Sequence, residues 1–155
     1  MSSVRTLLVI SACLVGMSLI TTGQPVDHME AYCKVVWLFG YPCAQVNKTI
    51  LTQMKSMEQY KLGTVNADLI EATHTSVGGQ IQKLNFTLLE AAMDMGCRVG
   101  GSSMSDYWLS LLDNGTNYCN LQNVIKGSGL INAPGYTEYT NEWVCLGYGL
   151  ASCKV

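Results

Sequence analysis

The sequence predicts an α+β domain in which one long amphipathic helix packs on a twisted antiparallel β-sheet, stabilised by disulfides. Three observations predict this fold class. A segment rich in β-branched and aromatic residues comes first, a segment with helical spacing follows, and three partly alternating segments separated by glycines come next. A strand, a long helix and a strand meander, in that order, can form one helix packed across one sheet.

The first strand is predicted over residues 31–39, "AYCKVVWLF", because β-branched and aromatic side chains favour extended backbone. It ends where Gly40 and Pro42 interrupt the pattern. Apolar residues fall on both of its faces, which indicates a strand that is central in the sheet or covered on two sides.

The long helix is predicted over residues 43–61. Pro42 suits the start of a helix, and Gly63 suits the position just beyond its end. Four apolar residues recur at spacings of four, four and three: Val46, Ile50, Met54 and Met57. This spacing places them on one helix face, where the methionines act as core filler.

Three strands of an antiparallel meander are predicted within residues 66–76, 80–91 and 96–112, with a glycine in each break. In the second strand, Leu84, Phe86 and Leu88 form one face. Asn85 then lies on the opposite, solvated face.

Two interpretations of residues 117–127, "NYCNLQNVIKG", remain open. The apolar residues fit either a helical stripe or a strand face, and a short helix or turn-like segment is preferred. A loop is predicted over 126–135 and a last strand over 136–148. No repeat or linker divides the chain, which indicates one domain.

The predicted layout resembles the general architecture of cystatin-like domains, in which a helix crosses a sheet. The resemblance extends to no motif, because the Gln-x-Val-x-Gly hairpin and the later Pro-Trp hairpin of cystatins are absent; "SVGGQIQK" is only faintly similar to the first. It implies a kind of architecture and no activity.

Residues 1–23 are predicted to be a cleaved secretory signal peptide. Arg5 supplies a basic start, residues 7–20 form a short apolar core, and small Thr21 and Gly23 precede the expected cut. A membrane anchor is the weaker interpretation, because the core is short and no basic cluster follows it. The expected mature domain, 24–155, has 155 − 23 = 132 residues, and secretion to the extracellular space is the expected localisation.

The expected mature chain has six cysteines, which in an oxidising compartment favour three disulfides. Of 15 possible connectivities, spacing favours pairing of near neighbours. The six residues and their predicted pairs are Cys33–Cys43, Cys97–Cys119 and Cys145–Cys153. A zinc site is disfavoured, because no Cys-x-x-Cys pair is present and histidine is scarce.

Three glycosylation sequons begin at Asn47, Asn85 and Asn114. They are usable acceptors in a secreted chain wherever the asparagine is exposed. The chain carries 9 basic and 11 acidic residues; removing Arg5 leaves 8 against 11, a formal charge of −3. This charge argues against a nucleic-acid partner.

No catalytic constellation, cofactor motif or metal motif is predicted. His28 lies near the expected mature N-terminus. His74 and Ser76 would share a strand face, which is a weak hint of a base and a nucleophile, since short patterns of this kind are common.

Aromatic residues give a better indication of function, because they anchor interfaces and line apolar pockets. Four of them form the candidate binding surface: Tyr118, Tyr136, Tyr139 and Trp143. The sequence therefore predicts a secreted, disulfide-bonded N-glycoprotein that binds an extracellular protein or a small apolar ligand. The alternatives are a secreted protease inhibitor and, less favoured, a small secreted hydrolase that uses His74.

Overall fold

The computed structural model describes residues 31–92, 96–105 and 115–154. The predicted signal peptide, His28 and Asn114 lie outside the described residues. The regular elements of the described part are β1 Ala31–Phe39, α1 Cys43–Lys55, β2 Tyr60–Val65, β3 Leu69–Thr75, β4 Ile81–Glu90, β5 Cys97–Ser105, α2 Thr116–Gly127 and β6 Thr137–Tyr139. Short 3₁₀ turns follow at Leu130–Asn132 and Tyr148–Leu150.

The strands form one antiparallel sheet in the order β2-β3-β4-β5-β1-β6. The fold class is therefore α+β, as predicted. β1 lies between β5 and β6, which confirms that it is a central strand. The meander of β3, β4 and β5 is also confirmed, since each of these strands pairs with the next along the chain.

Both helices pack on one face of the sheet, which we call the inner face; the opposite side is the outer face. Inward residues alternate with outward ones along β4, where Leu84, Phe86 and Leu88 are buried as predicted. Trp37 is fully buried on β1 and stacks on Phe86 at 6.2 Å between ring centroids. A Cβ on Gly101 would lie 2.5 Å from the Trp37 ring, so this position of β5 has room only for glycine.

The predicted extension of the first helix to Lys61 is wrong, because α1 ends at Lys55 and the chain then enters β2. Ser56 closes the helix, and its hydroxyl donates a hydrogen bond to the carbonyl oxygen of Gln53 at 2.7 Å. Residues 60–65 instead pair with β3, beginning with Tyr60 opposite His74. This pairing satisfies the backbone groups of residues 60–65 through the next strand along the chain, which helical periodicity does not reveal.

Two further elements refine the predictions. Residues 117–127 form most of α2, which confirms the preferred helix. The last predicted strand is reduced to β6 and a bridge in which Cys145 lies opposite Cys33. The "one long helix" of the prediction is thus replaced by two shorter ones, and the cystatin-like resemblance stays a prediction.

The six cysteines form three disulfides, but the predicted near-neighbour pairing is wrong. The bridges join Cys33 to Cys145, Cys43 to Cys97, and Cys119 to Cys153. Each bridge connects elements that are adjacent in space and distant in sequence: β1 with the chain after β6, the start of α1 with the start of β5, and α2 with the C-terminal tail. The tertiary arrangement of the elements, not sequence spacing, therefore decides the partners.

Among the described residues, every helix is too short or too polar to cross a bilayer. Three disulfides in one small domain are consistent with an extracellular protein, because such bonds persist in oxidising compartments.

Candidate functional site

His74, the one histidine of the described part, is held by an amide and not by a carboxylate. Its Nδ1 lies 2.8 Å from Oε1 of Gln82, and Nδ2 of Asn120 donates to the same oxygen at 3.5 Å. Because that oxygen accepts both bonds, Nδ1 of His74 carries a proton. The ring also packs on Tyr60, with centroids 4.8 Å apart.

Ser76 stabilises the hairpin between β3 and β4. Its Oγ accepts the backbone N–H of Gln80 at 3.1 Å. No hydrogen bond joins His74 to Ser76 in the described part of the chain. The suggested base and nucleophile pair therefore has no geometric support, since such a site needs the two groups in contact and an orienting partner.

Two amides of α2, Asn117 and Asn120, are buried beneath the sheet. Asn117 is 1% exposed; its Oδ1 accepts the hydroxyl of Ser103 at 2.6 Å, and its Nδ2 donates to the carbonyl oxygen of Ala31 at 3.3 Å. Asn120 is also buried, and its backbone carbonyl accepts the hydroxyl of Tyr60 at 2.7 Å. Their bonding assigns these amides a structural role, because buried polar groups require partners.

Two members of the candidate binding surface, Tyr118 and Tyr136, are half-buried and donate to the carboxylate of Glu138. The Tyr118 hydroxyl lies 2.8 Å from Oε1, and the Tyr136 hydroxyl lies 3.2 Å from Oε2. The indole Nε1 of Trp37 donates to Oε2 at 2.7 Å. One carboxylate thus accepts hydrogen bonds from three aromatic side chains, and we call these four residues the Glu138 cluster.

The pKa values of both tyrosines are raised in the Glu138 cluster. Burial is the largest cause for each, and the adjacent Glu138 carboxylate raises the pKa further. The hydroxyls therefore stay protonated and remain donors. Glu138 itself is half-buried. The sequence signal for its role as an acceptor is its position between Tyr136 and Tyr139 in an extended segment.

The other two members, Tyr139 and Trp143, are exposed. Trp143 is 90% exposed and Tyr139 is 57% exposed. Tyr32 on β1 is also exposed, and its hydroxyl donates to the carbonyl oxygen of Trp143 at 3.3 Å. We call Tyr32, Tyr139 and Trp143 the aromatic edge. Tyr32 lies on β1, Tyr139 lies on the edge strand β6, and Trp143 lies on the turn that follows β6.

The turn that carries Trp143 is braced on both sides. Oδ1 of Asn141 accepts the backbone N–H of Trp143 at 2.9 Å, and the carboxylate of Glu142 accepts the N–H groups of Gly147 and Gly149. Immediately after the turn, Cys145 is bonded to β1. Hydrogen bonds and a disulfide therefore hold the backbone that carries the exposed indole.

A groove of about 610 Å³ lies on the outer face, across β2, β3, β4 and β5. It is open to solvent and mixed in character. We call it the outer groove, and its side-chain lining includes Lys61, Glu71, Thr73, Lys83, Asn85, Ser102 and Met104. The side that faces the helices is instead filled by fully buried side chains such as Trp37, Ile50 and Met54.

The two described sequons differ in their surroundings. Nδ2 of Asn47, the atom that would carry a sugar, donates to the carbonyl oxygens of Asn66 at 2.9 Å and of Ala67 at 3.3 Å. The side-chain NH₂ group of Asn47 therefore helps hold the turn between β2 and β3. Asn85 lies in the outer groove between Glu71 and Ser102, on the solvated face predicted for it.

Within the described ranges, no group of three or more metal-ligating side chains comes together. No protein-family model matches the chain, and no curated protein matches it in sequence.

Proposed function

We propose that this protein is a secreted, disulfide-bonded N-glycoprotein that binds another protein in the extracellular space through its aromatic edge. The observation that carries the proposal is Trp143, which is 90% exposed on a turn braced by Asn141 and Glu142 and followed by a disulfide.

Exposure of a large aromatic side chain leaves apolar surface in water, and exposed apolar residues that lie together mark interaction sites. Trp and Tyr dominate the binding energy of protein interfaces, because they bury much area and lose few rotamers. A braced turn lowers the entropy lost on association. Tyr32, whose hydroxyl donates to the carbonyl oxygen of Trp143, extends the surface beside it, and Tyr139 is exposed on β6.

A small apolar ligand between helices and sheet is the weaker candidate. Ligand carriage needs a largely pre-formed apolar cavity. The space between the layers is occupied by fully buried side chains, including Trp37, Ile50 and Phe86. The outer groove has charged residues along its lining and is open to solvent, so it suits a polar occupant better than an apolar one.

The test uses an array of purified extracellular proteins, probed in parallel with the wild-type chain, Trp143→Ala and Val77→Ala. Val77 is a matched control, because it is an exposed apolar residue at the β3–β4 hairpin, far from the aromatic edge in the sheet order. The Trp143→Ala protein should bind a partner roughly 30-fold more weakly than the wild type, which corresponds to a hot spot of about 2 kcal/mol. The Val77→Ala protein should bind it with unchanged affinity. The proposal is refuted if the wild type and both variants bind every partner with equal affinity.

A protease inhibitor is the second candidate, and the braced turn at residues 141–145 favours it, because inhibition requires an exposed rigid loop. Inhibition of secreted cysteine and serine proteases by the wild type, lost in Trp143→Ala, would replace the general binding role. Absence of inhibition at micromolar concentration across the panel would dispose of it. The cystatin-like resemblance adds only an architectural argument.

A further inference from the structure

We infer that Asn85 carries an N-linked glycan whose first sugars lie in the outer groove, so that the groove is occupied by the protein's own carbohydrate. The inference is independent of the aromatic edge. It depends on the predicted passage through the secretory pathway, where the sequon becomes usable.

Asn85 is placed in the groove by the register of the sheet. On the outer face its cross-strand neighbours are Glu71 on β3 and Ser102 on β5. Directly opposite residues of neighbouring strands have Cβ atoms about 5 Å apart. A sugar on Nδ2 of Asn85 therefore leaves the sheet with these two polar side chains on either side of it.

The groove suits a carbohydrate in size and in chemistry. Its volume, about 610 Å³, is within the range of sites that hold small molecules, and it can accept a disaccharide-sized group. Lys61, Thr73 and Ser102 offer polar groups to sugar hydroxyls, and the side chain of Met104 offers an apolar surface to a sugar ring. Gly63 carries no side chain, so the wall of the groove on the β2 side is shallow.

The outer face also lacks any cover from the described elements, since both helices pack on the inner face. Asn47 makes the contrast clear. A sugar there would replace one hydrogen of the NH₂ group that donates to Asn66 and Ala67, whereas the side chain of Asn85 makes no such bonds in the described structure. The structure therefore favours Asn85 over Asn47 as a site where glycan and fold are compatible.

Met104 supplies a reporter inside the groove. It lies opposite Lys83, two residues from the neighbour of Asn85, and is half-buried. Methionine oxidation follows exposure of the sulfur, so a glycan over the groove will slow the reaction of Met104 with peroxide. Met57 is also half-buried but lies just beyond α1, on the helix side of the sheet, and serves as the internal control.

The experiment uses the full chain secreted from a eukaryotic host. Peptide mapping measures occupancy of Asn85, and peroxide footprinting then compares wild type with Thr87→Ala, which abolishes the sequon but keeps Asn85. Thr87→Ser is the matched control, because it keeps both the sequon and a hydroxyl able to donate to the carbonyl oxygen of Gly100, as Thr87 does. We expect Met104 to oxidise roughly threefold faster in Thr87→Ala, with Met57 and the Thr87→Ser protein unchanged.

Enzymatic removal of the glycan from the folded wild type gives the same comparison without a substitution. An unoccupied Asn85 overturns the inference. An occupied Asn85 with equal Met104 oxidation before and after glycan removal also overturns it, because the sugars then point away from the groove. Since Thr87 lies on β4, these outcomes leave the binding test at Trp143 unaffected.

Discussion

Replacement of Glu138 by alanine tests whether the Glu138 cluster stabilises the fold. The substitution removes the single carboxylate that accepts hydrogen bonds from Trp37, Tyr118 and Tyr136. These donors come from β1, α2 and the segment before β6. The carboxylate therefore links the sheet to the second helix, and its loss should lower the free energy of unfolding.

The magnitude follows from the burial of each donor. The indole N–H of Trp37 is on a residue with no exposed surface, so leaving it without an acceptor costs about 1–3 kcal/mol. Tyr118 and Tyr136 are half-buried, and their hydroxyls can donate to water instead. The loss of each of these two hydrogen bonds therefore costs only about 0.5–1.5 kcal/mol. Together these values predict a loss of about 2–6 kcal/mol for Glu138→Ala, centred on about 4 kcal/mol, or a fall in Tm of roughly 10–15 °C.

Glu138→Gln separates hydrogen bonding from charge. The amide oxygen of glutamine can keep the bond from Trp37, and its NH₂ group can donate to the oxygen of Tyr118. The expected loss is then about 1 kcal/mol, because charge-assisted bonds become neutral ones. Glu58→Ala is the control, since Glu58 is an exposed carboxylate and should change stability by less than about 0.5 kcal/mol.

The assay is equilibrium unfolding in urea, followed by far-UV circular dichroism and by near-UV circular dichroism of the tryptophans. All variants should show the same m-value, so that midpoints report stability directly. The reasoning is refuted if Glu138→Ala costs less than about 1 kcal/mol, or if Glu138→Gln is as destabilising as Glu138→Ala.

Three more predictions concern packing, covalent structure and pH. Gly101→Ala should cost about 1–3 kcal/mol, because its Cβ would meet the Trp37 ring, whereas Gly63→Ala, with ordinary contacts, should be neutral or slightly stabilising in the same urea assay. Non-reducing peptide mapping should recover the three bridges described above, and a peptide joining Cys33 to its near neighbour Cys43 would contradict the structure. Burial raises the pKa of Tyr60, so its contribution to stability is complete below about pH 10 and is lost at higher pH, where the unfolded chain ionises first. Urea midpoints should therefore fall as the pH rises above about 10, and less steeply in Tyr60→Phe; equal slopes would count against a buried Tyr60.

Local pattern predicted those parts of the fold that depend on neighbours along the chain. Alternation identified the inner face of β4 and put Asn85 outside, because side chains of a strand point to opposite faces. Spacing of three and four identified α1 and favoured α2. The six cysteines that follow the expected signal peptide indicated three disulfides, and three are present.

The same patterns failed where pairing with another segment decides the outcome. Residues after Lys55 keep apolar spacing, yet they leave the helix because β3 offers a strand partner to Tyr60. Near neighbours in sequence were poor disulfide partners, because Cys33 lies beside Cys145 through the pairing of β1 with the chain after β6. The disulfide pairing leaves no signal in a short window of sequence.

The candidate site divides in the same way. By composition alone, Tyr118, Tyr136, Tyr139 and Trp143 were equivalent aromatics of one segment of the chain. The sequence by itself determined the fold class, the strand faces, the number of disulfides and the supply of aromatic residues. Only the tertiary structure decided that two of them bond to a half-buried Glu138 while Tyr139 and Trp143 face solvent, because exposure depends on which distant elements pack over a side chain.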